Sequence, residues 1–173
     1  MSLQTTETAR DYLIDGLRDA HAMESQAITL TTTQADRLKN YPDLEQRIRQ
    51  HVIETEGQRD RLEGCLEKLG SSPSTLKDTT MKLAGNLQMA FHAMTEDEVI
   101  KNSLASYAFE HFEIASYNAL IETAKIAGEM DIVAVCQQNL AEEEAMATWI
   151  MDHLPDALRN YLARSAVDIE AKR

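Results

Sequence analysis

Pro42, Pro73 and Pro155 are the only prolines in a chain of 173 residues, and between them helical patterning runs almost uninterrupted. Proline fixes φ and removes a backbone donor, so helices start or stop beside it. Elsewhere apolar residues recur three and four apart, the spacing of one helix face. With 6 glycines and only 5% aromatic residues, the chain lacks the turn formers and aromatic residues of a sheet protein. It fits few, long helices.

The spacing predicts a first helix over about 3–38, with the stripe Leu13, Leu17, Ala20, Ala27, Ile28, Ala35 and Leu38. Glu24 sits near the centre of that stripe, and His21 lies one turn earlier at its edge. Asn40-Tyr41-Pro42 breaks the helix. A second helix spans about 42–69 on Leu44, Ile48, Thr55, Leu62, Leu66 and Leu69. His51 and Gln58 lie inside this stripe, Glu54 at its edge, and Gly70 is the stop. Gly57 costs about 1 kcal/mol relative to Ala inside a helix, which suggests close approach of another backbone. After a loop, 75–94 reads as a shorter connecting helix. Thr95 to Glu98 then reads as a capping box opening a third long helix that Gly128 ends. A fourth covers about 129–154 on Ile132, Val133, Cys136, Leu140, Ala147, Ile150, Met151 and Leu154, with Glu143 near the centre. Pro155 is expected to stop it, leaving one short helix over 156–165. The chain therefore reads as a single all-α domain over 1–173: two antiparallel helical hairpins joined by a long, helix-containing crossover.

One stretch of the third helix breaks the pattern. Glu113 shares its face with Val99, Ser106, Phe109, Tyr117, Leu120 and Ala124, and Glu110 lies one turn back on the same face. Two carboxylates in an apolar stripe are expensive to bury. Either the stripe is open, or something positive sits among several helices. Register favours the second. Glu24 and Glu54 are 30 residues apart with their midpoint at the first hairpin turn, and Glu113 and Glu143 are 30 apart with theirs at Gly128. Residues equidistant from a turn face each other at one height, so both hairpins present paired carboxylates at one level. Unpaired, four such charges would outweigh the stability of a whole domain. A metal pair held by carboxylates and imidazole resolves the conflict, and oxygen-rich ligation suits iron or manganese.

Taken singly, a Glu on an apolar stripe is more often a tilted surface residue or one paired with Arg or Lys. Glu142 and Glu144 flank their stripe and read as solvated. His51, three residues before Glu54, is either a ligand or a hydrogen-bonded core histidine. Gln58 can support a ligand, and Glu110 is either an extra ligand or the group that orients one. Tyr117 and the methionines read as packing, and Trp149 points away from the stripe.

The formal charge of −12 disfavours nucleic acid and anionic membrane surfaces, which need a basic footprint. Cys65 and Cys136 each fall in a helical apolar pattern and read as buried free thiols, with one bridge as the alternative. The first 30 residues lack the basic and apolar regions of a secretory signal, and no apolar run approaches a membrane span. A cytoplasmic location is the default expectation.

Several blocks also carry a family resemblance. These are Leu17-Arg18-Asp19-Ala20-His21-Ala22-Met23-Glu24, His51-Val52-Ile53-Glu54-Thr55-Glu56-Gly57-Gln58, Glu110-His111-Phe112-Glu113-Ile114-Ala115-Ser116-Tyr117 and Leu140-Ala141-Glu142-Glu143. They resemble the signature blocks of the YciE/YciF family, closest to the YciE type, from about Tyr12 to the end. The resemblance implies a ferritin-like four-helix bundle of cytoplasmic bacterial proteins, commonly homodimeric, associated with stress responses and holding a dinuclear metal centre. The general ferritin-like pattern places Glu-x-x-His on the second and fourth helices; here Gly57 and Met146 replace both histidines. The expected ligands are Glu24, Glu54, Glu113 and Glu143, supplemented by His51 and Glu110. Two readings of function follow: a di-iron or manganese protein that oxidises Fe²⁺ or reduces peroxide, and a non-catalytic bundle that binds partners around a vestigial site. Iron storage in a cage has no support in the sequence.

Overall fold

A computed structural model describes residues 3–73, 97–167, 170 and 171. Four helices carry the described chain: α1 Leu3–Arg37, α2 Pro42–Lys68, α3 Glu98–Ala127 and α4 Met130–Ala166. The connecting helix expected over 75–94, and the Thr95 end of the expected capping box, lie outside the described residues. Asp97 holds the N-cap position of α3, and both oxygens of Glu98 are engaged by Arg37 at 2.5 and 2.8 Å.

The turns follow from local chemistry. Pro42 opens α2, where a missing backbone donor costs no hydrogen bond. Gly128 takes φ 82°, the left-handed conformation that glycine adopts without strain. There Glu129 N–H reaches Ala124 O at 2.9 Å and Gly128 N–H reaches Lys125 O at 3.1 Å, closing the end of α3. Each hairpin is antiparallel. α3 also runs antiparallel to α1, since Arg37 meets Glu98 at one end while Glu24 meets Tyr117 further along. α2 opposes α4 in the same sense, with Arg61 on Asn139 and Lys68 on Asp131. The order of the four described helices is therefore up, down, down, up.

Two apolar clusters fill the bundle. One holds Leu13, Leu17, Leu62, Leu66, Leu120, Ile132, Cys65 and Cys136; the other holds Ala35, Leu38, Tyr41, Ile48, Val99, Met146 and Ile150. Both cysteines are free and buried, and burial followed by the neighbouring Cys65 pushes the Cys136 thiol up to about 12.

Three expectations change. Residues 156–165 are helical, but as a continuation of α4 through Pro155. Pro155 sits on the exposed face, where water can take the carbonyl that loses its donor. Buried Ala157 and partly buried Tyr161 keep packing the segment onto the bundle. Met151 is 45% exposed, outside the stripe assigned to it. Gly57 admits a side chain rather than a backbone: an added Cβ would meet Arg61 Nη1 at 3.3 Å. The close helix approach is at Gly16, where a Cβ would stand 2.9 Å from Leu120 Cδ2. Among the described residues, no helix is long and apolar enough to cross a membrane.

Candidate metal centre

Between the two apolar clusters, all four helices turn polar side chains inward. Glu24 comes from α1, His51 and Gln58 from α2, Glu110, Glu113 and Tyr117 from α3, and Asn139 and Glu143 from α4. None is more than 4% exposed. They occupy interior faces because each falls at the three- and four-residue spacing of its stripe, as in Glu110, Glu113, Tyr117 and Leu120 on α3.

His51 is the hub of one side. Its Nε2 lies 3.3 Å from Glu110 Oε2 and 3.6 Å from Glu143 Oε2, and one donor atom from each of these residues lies within 4.8 Å of the others. Its Nδ1 lies 3.1 Å from Glu54 Oε2, which Arg47 also holds at 3.0 Å. A carboxylate on the far nitrogen fixes the ring and directs Nε2 inward, the arrangement that supports metal-bound imidazole. On the other side the Tyr117 hydroxyl donates to Glu24 Oε1 at 2.5 Å and accepts from Asn139 Nδ2 at 3.0 Å.

Seven buried side-chain atoms among the described residues have no hydrogen-bond partner: Glu24 Oε2, Glu110 Oε2, Glu113 Oε1, both oxygens of Glu143 and both amide atoms of Gln58. Orphaned buried polar atoms are rare in folded proteins, and seven in one slab, two of them facing only His51 Nε2, leave donors with something to bind. Five are carboxylate oxygens, the donors that hard cations take.

The electrostatics agree. Burial pushes the Glu24 carboxyl up to about 7, against the Tyr117 hydrogen bond and His51, which pull it down. Burial, then the charge of Glu143, holds Glu113 well above the usual carboxyl range. Glu143 is raised by burial and then by Glu110. Burial disfavours the His51 imidazolium, but the Glu110 and Glu54 carboxylates outweigh it and raise His51 to about 10. Burial also opposes ionisation of Glu54, yet His51 and Arg47 hold it below the usual range. With no cation the cluster holds protons; the same donors accept a cation once those protons leave. The residues fit a metal.

Residues 8–163 match a family described as a domain of unknown function, DUF892. The chain belongs to this family. It is 29% identical over 147 residues to Protein YciF of Escherichia coli (strain K12), covering 80% of this chain and 86% of YciF. Among solved structures it resembles a protein from Xanthomonas campestris pv. campestris, with TM-score 0.79 and 39% identity over 92% of this chain and 99% of that one. It also resembles the E. coli stress protein YciF, with TM-score 0.75 and 24% identity over 86% and 95%. A third is YcfI from Rhodopseudomonas palustris, whose name suggests a structural role: TM-score 0.72, 30% identity over 87% and 97%.

In this DUF892 chain the structure brings Glu24, Glu110, Glu113, Glu143 and His51 into one buried slab. Glu54 is drawn aside: it is partly exposed and serves the imidazole rather than joining the buried carboxylates. Met146, at one position where the ferritin-like pattern carries His, packs into the second apolar cluster. Glu142 is ion-paired with Arg61 at 2.5 Å instead of solvated. Trp149 packs partly buried against the second cluster and stacks on His153. Sequence reasoning read Tyr117 as packing and passed over Asn139 and Arg61. The available signal was a polar residue inside a stripe, since Asn139 falls between Cys136 and Glu143 at helical spacing.

Proposed function

We propose that this chain holds two redox-active cations, iron or manganese, in the buried slab. The observation that carries the reading is the set of orphaned carboxylate and amide atoms on four different helices. His51, Glu110 and Glu143 would hold one cation. Glu24 and Glu113, whose carboxylates interact electrostatically, would hold the other. Glu54 orients His51 by accepting a hydrogen bond from Nδ1–H, so the proton to be lost on binding a cation is the one on the inward Nε2. Two such ions, when bound, would supply the electrons for chemistry on oxygen or peroxide. The protein's part is to fix the donors, exclude bulk water and keep the site anionic.

We assign the chain to the YciE type on its sequence blocks and propose a cytoplasmic role in bacterial stress defence, in keeping with the name of the related YciF stress protein. A homodimer is the proposed assembly. Exposed Tyr12, Phe112 and Ile126 on α1 and α3 give it an apolar surface, and sedimentation of a single 19 kDa species would exclude it.

The test is metal analysis of untagged protein from iron- and manganese-replete cells, followed by Fe²⁺ oxidation under air read by absorbance. Two ions per chain are expected, with loss of bound metal in Glu113→Ala and Glu143→Ala. Under about one tenth of an ion per chain, or metal surviving both substitutions, defeats the reading. A second reading, a non-catalytic bundle with a structural metal, is favoured by the name of the Rhodopseudomonas relative. Retained metal with no Fe²⁺ oxidation selects it.

A further inference from the structure

A hydrogen-bonded chain leaves the buried slab and touches all four helices. The Tyr117 hydroxyl donates to Glu24 Oε1 at 2.5 Å, Asn139 Nδ2 donates to the Tyr117 oxygen at 3.0 Å, and Arg61 Nε donates to Asn139 Oδ1 at 2.7 Å. Arg61 Nη2 in turn donates to Glu142 Oε2 at 2.5 Å, where both side chains are about one quarter exposed.

The chemistry of the chain's outer end fixes its direction. A guanidinium has donors only, so the Asn139 amide must present its oxygen to Arg61 and its NH₂ to Tyr117. The phenol oxygen then accepts, and its single hydrogen is left for Glu24. An amide facing the other way would set N–H against N–H at Arg61. Gly57 gives Arg61 its place: an added Cβ there would crowd Nη1 at 3.3 Å, so the guanidinium lies close over its own helix at the α2–α4 seam.

We propose that Arg61, acting through Asn139, locks the Tyr117 hydroxyl as a donor to Glu24 Oε1 and so commits Glu24 Oε2 to the cation. Oε2 is the oxygen with no partner. Arg61 and Asn139 are positioning residues for a ligand that neither touches, and Tyr117 is the group through which they act. The inference rests on reading the slab as a metal centre. It adds which oxygen of Glu24 binds, and what at the protein surface decides it.

Asn139→Asp tests direction without removing the contact. The aspartate still accepts from Arg61, but it offers Tyr117 a second acceptor in place of a donor, so the hydroxyl hydrogen is no longer reserved for Glu24. Mn²⁺ titration of the metal-free protein followed by electron paramagnetic resonance should show the weaker of two sites loosened about tenfold or more, the size expected when an outer partner of a ligand is lost. Tyr117→Phe should give the same loss, and the double variant no further loss, because both act on one bond. Arg61→Lys keeps a donor-only group and should bind within about twofold of wild type. Arg61→Gln, whose amide can face either way, should lose most of what Asn139→Asp loses. If Asn139→Asp fails to fold by circular dichroism, Tyr117→Phe carries the test alone. Wild-type affinity in Tyr117→Phe, or equal losses in Arg61→Lys and Arg61→Gln, overturns the proposal while leaving the metal centre standing. A wild-type protein that takes up no Mn²⁺ overturns both.

Discussion

Two neighbouring slabs of one bundle are equally dry and are built on opposite principles. In the first, Leu13, Leu17, Leu62 and Leu66 are wholly buried against Ile132 and Cys136, and among the described residues none of the buried side-chain atoms without a hydrogen bond belongs to them. In the second, Glu24, Gln58 and Glu143 are equally buried, yet seven atoms around them lack hydrogen bonds. The same helices run through both, so propensity and topology do not distinguish them. The difference is that the apolar slab is complete as a protein core, whereas the polar slab leaves buried donor atoms of the kind a cation takes. Stability should therefore be a fixed property of one and a conditional property of the other.

The largest effect that separates them is a cavity. Leu66→Ala is expected to lose about 2–5 kcal/mol in urea unfolding, equally with EDTA and with saturating Mn²⁺. The polar slab should behave in the opposite way. Glu143→Leu removes two oxygens that have no hydrogen bond at a 0% exposed site, one of them 3.6 Å from His51 Nε2, and burying a carboxyl without a hydrogen bond costs stability that an apolar side chain does not. In EDTA this variant should match or exceed wild type. At one hundred times the dissociation constant, Mn²⁺ should add about 2.7 kcal/mol to wild type and nothing to the variant. A Glu143→Leu protein that is several kcal/mol less stable in EDTA would mean that the approach of Glu143 to His51 is a stabilising ion pair without any cation, and the contrast between the slabs would fail.

How much of this was legible in the sequence depends on the kind of constraint. Helix spans came through because three-and-four spacing and the breakers Pro42, Gly70 and Gly128 are local. The face of each glutamate came through for the same reason, and hairpin register brought Glu24, Glu113 and Glu143 to one height. Register fixes height but not the rotation of a helix about its axis. That is why Glu54, level with Glu24 yet at the edge of its stripe, proved to serve His51 while His51 points inward. Pro155 misled because the rule for proline concerns the lost hydrogen bond, and on an exposed face that loss falls to solvent while Ala157 goes on packing. The Arg61–Asn139–Tyr117 chain pairs residues 78 and 22 positions apart, and no periodicity couples those.

pH grades the same difference instead of abolishing it. In the metal-free protein Glu24 moves from the ordinary 4.5 to about 7, so between those values the folded state holds more protons than the unfolded one. Stability from this group is present below 4.5 and is lost as pH rises through 7. His51, raised from 6.5 to about 10, changes in the same sense: its contribution is present below 6.5 and disappears through 10. Glu113 and Glu143 are also raised. The thiols of the apolar slab are pushed upward, Cys136 to about 12, and add nothing to this window. Metal-free protein should therefore unfold at lower urea at pH 8 than at pH 5.5. With Mn²⁺ the order should invert, because the donors must lose protons to bind. A metal-free protein more stable at pH 8 would show that these carboxylates ionise without penalty in the fold.

The smallest effect compares two glycines of α2, one beside each kind of surroundings. Gly64 is exposed and an added Cβ would meet nothing within 4 Å, so Gly64→Ala should gain the ordinary helix preference of about 1 kcal/mol. Gly57→Ala gains the same preference, but its Cβ would press on Arg61 Nη1 at 3.3 Å. Arg61 is held at that place by Asn139 and Glu142 and yields only by stretching those bonds. The stability gain at Gly57 should fall short of that at Gly64 by a few tenths of a kcal/mol, on the order of a small packing adjustment. Thermal unfolding of the two variants side by side in EDTA resolves this. Equal gains would mean that Arg61 moves freely, and the edge of the polar slab would then be as pliable as any exposed surface.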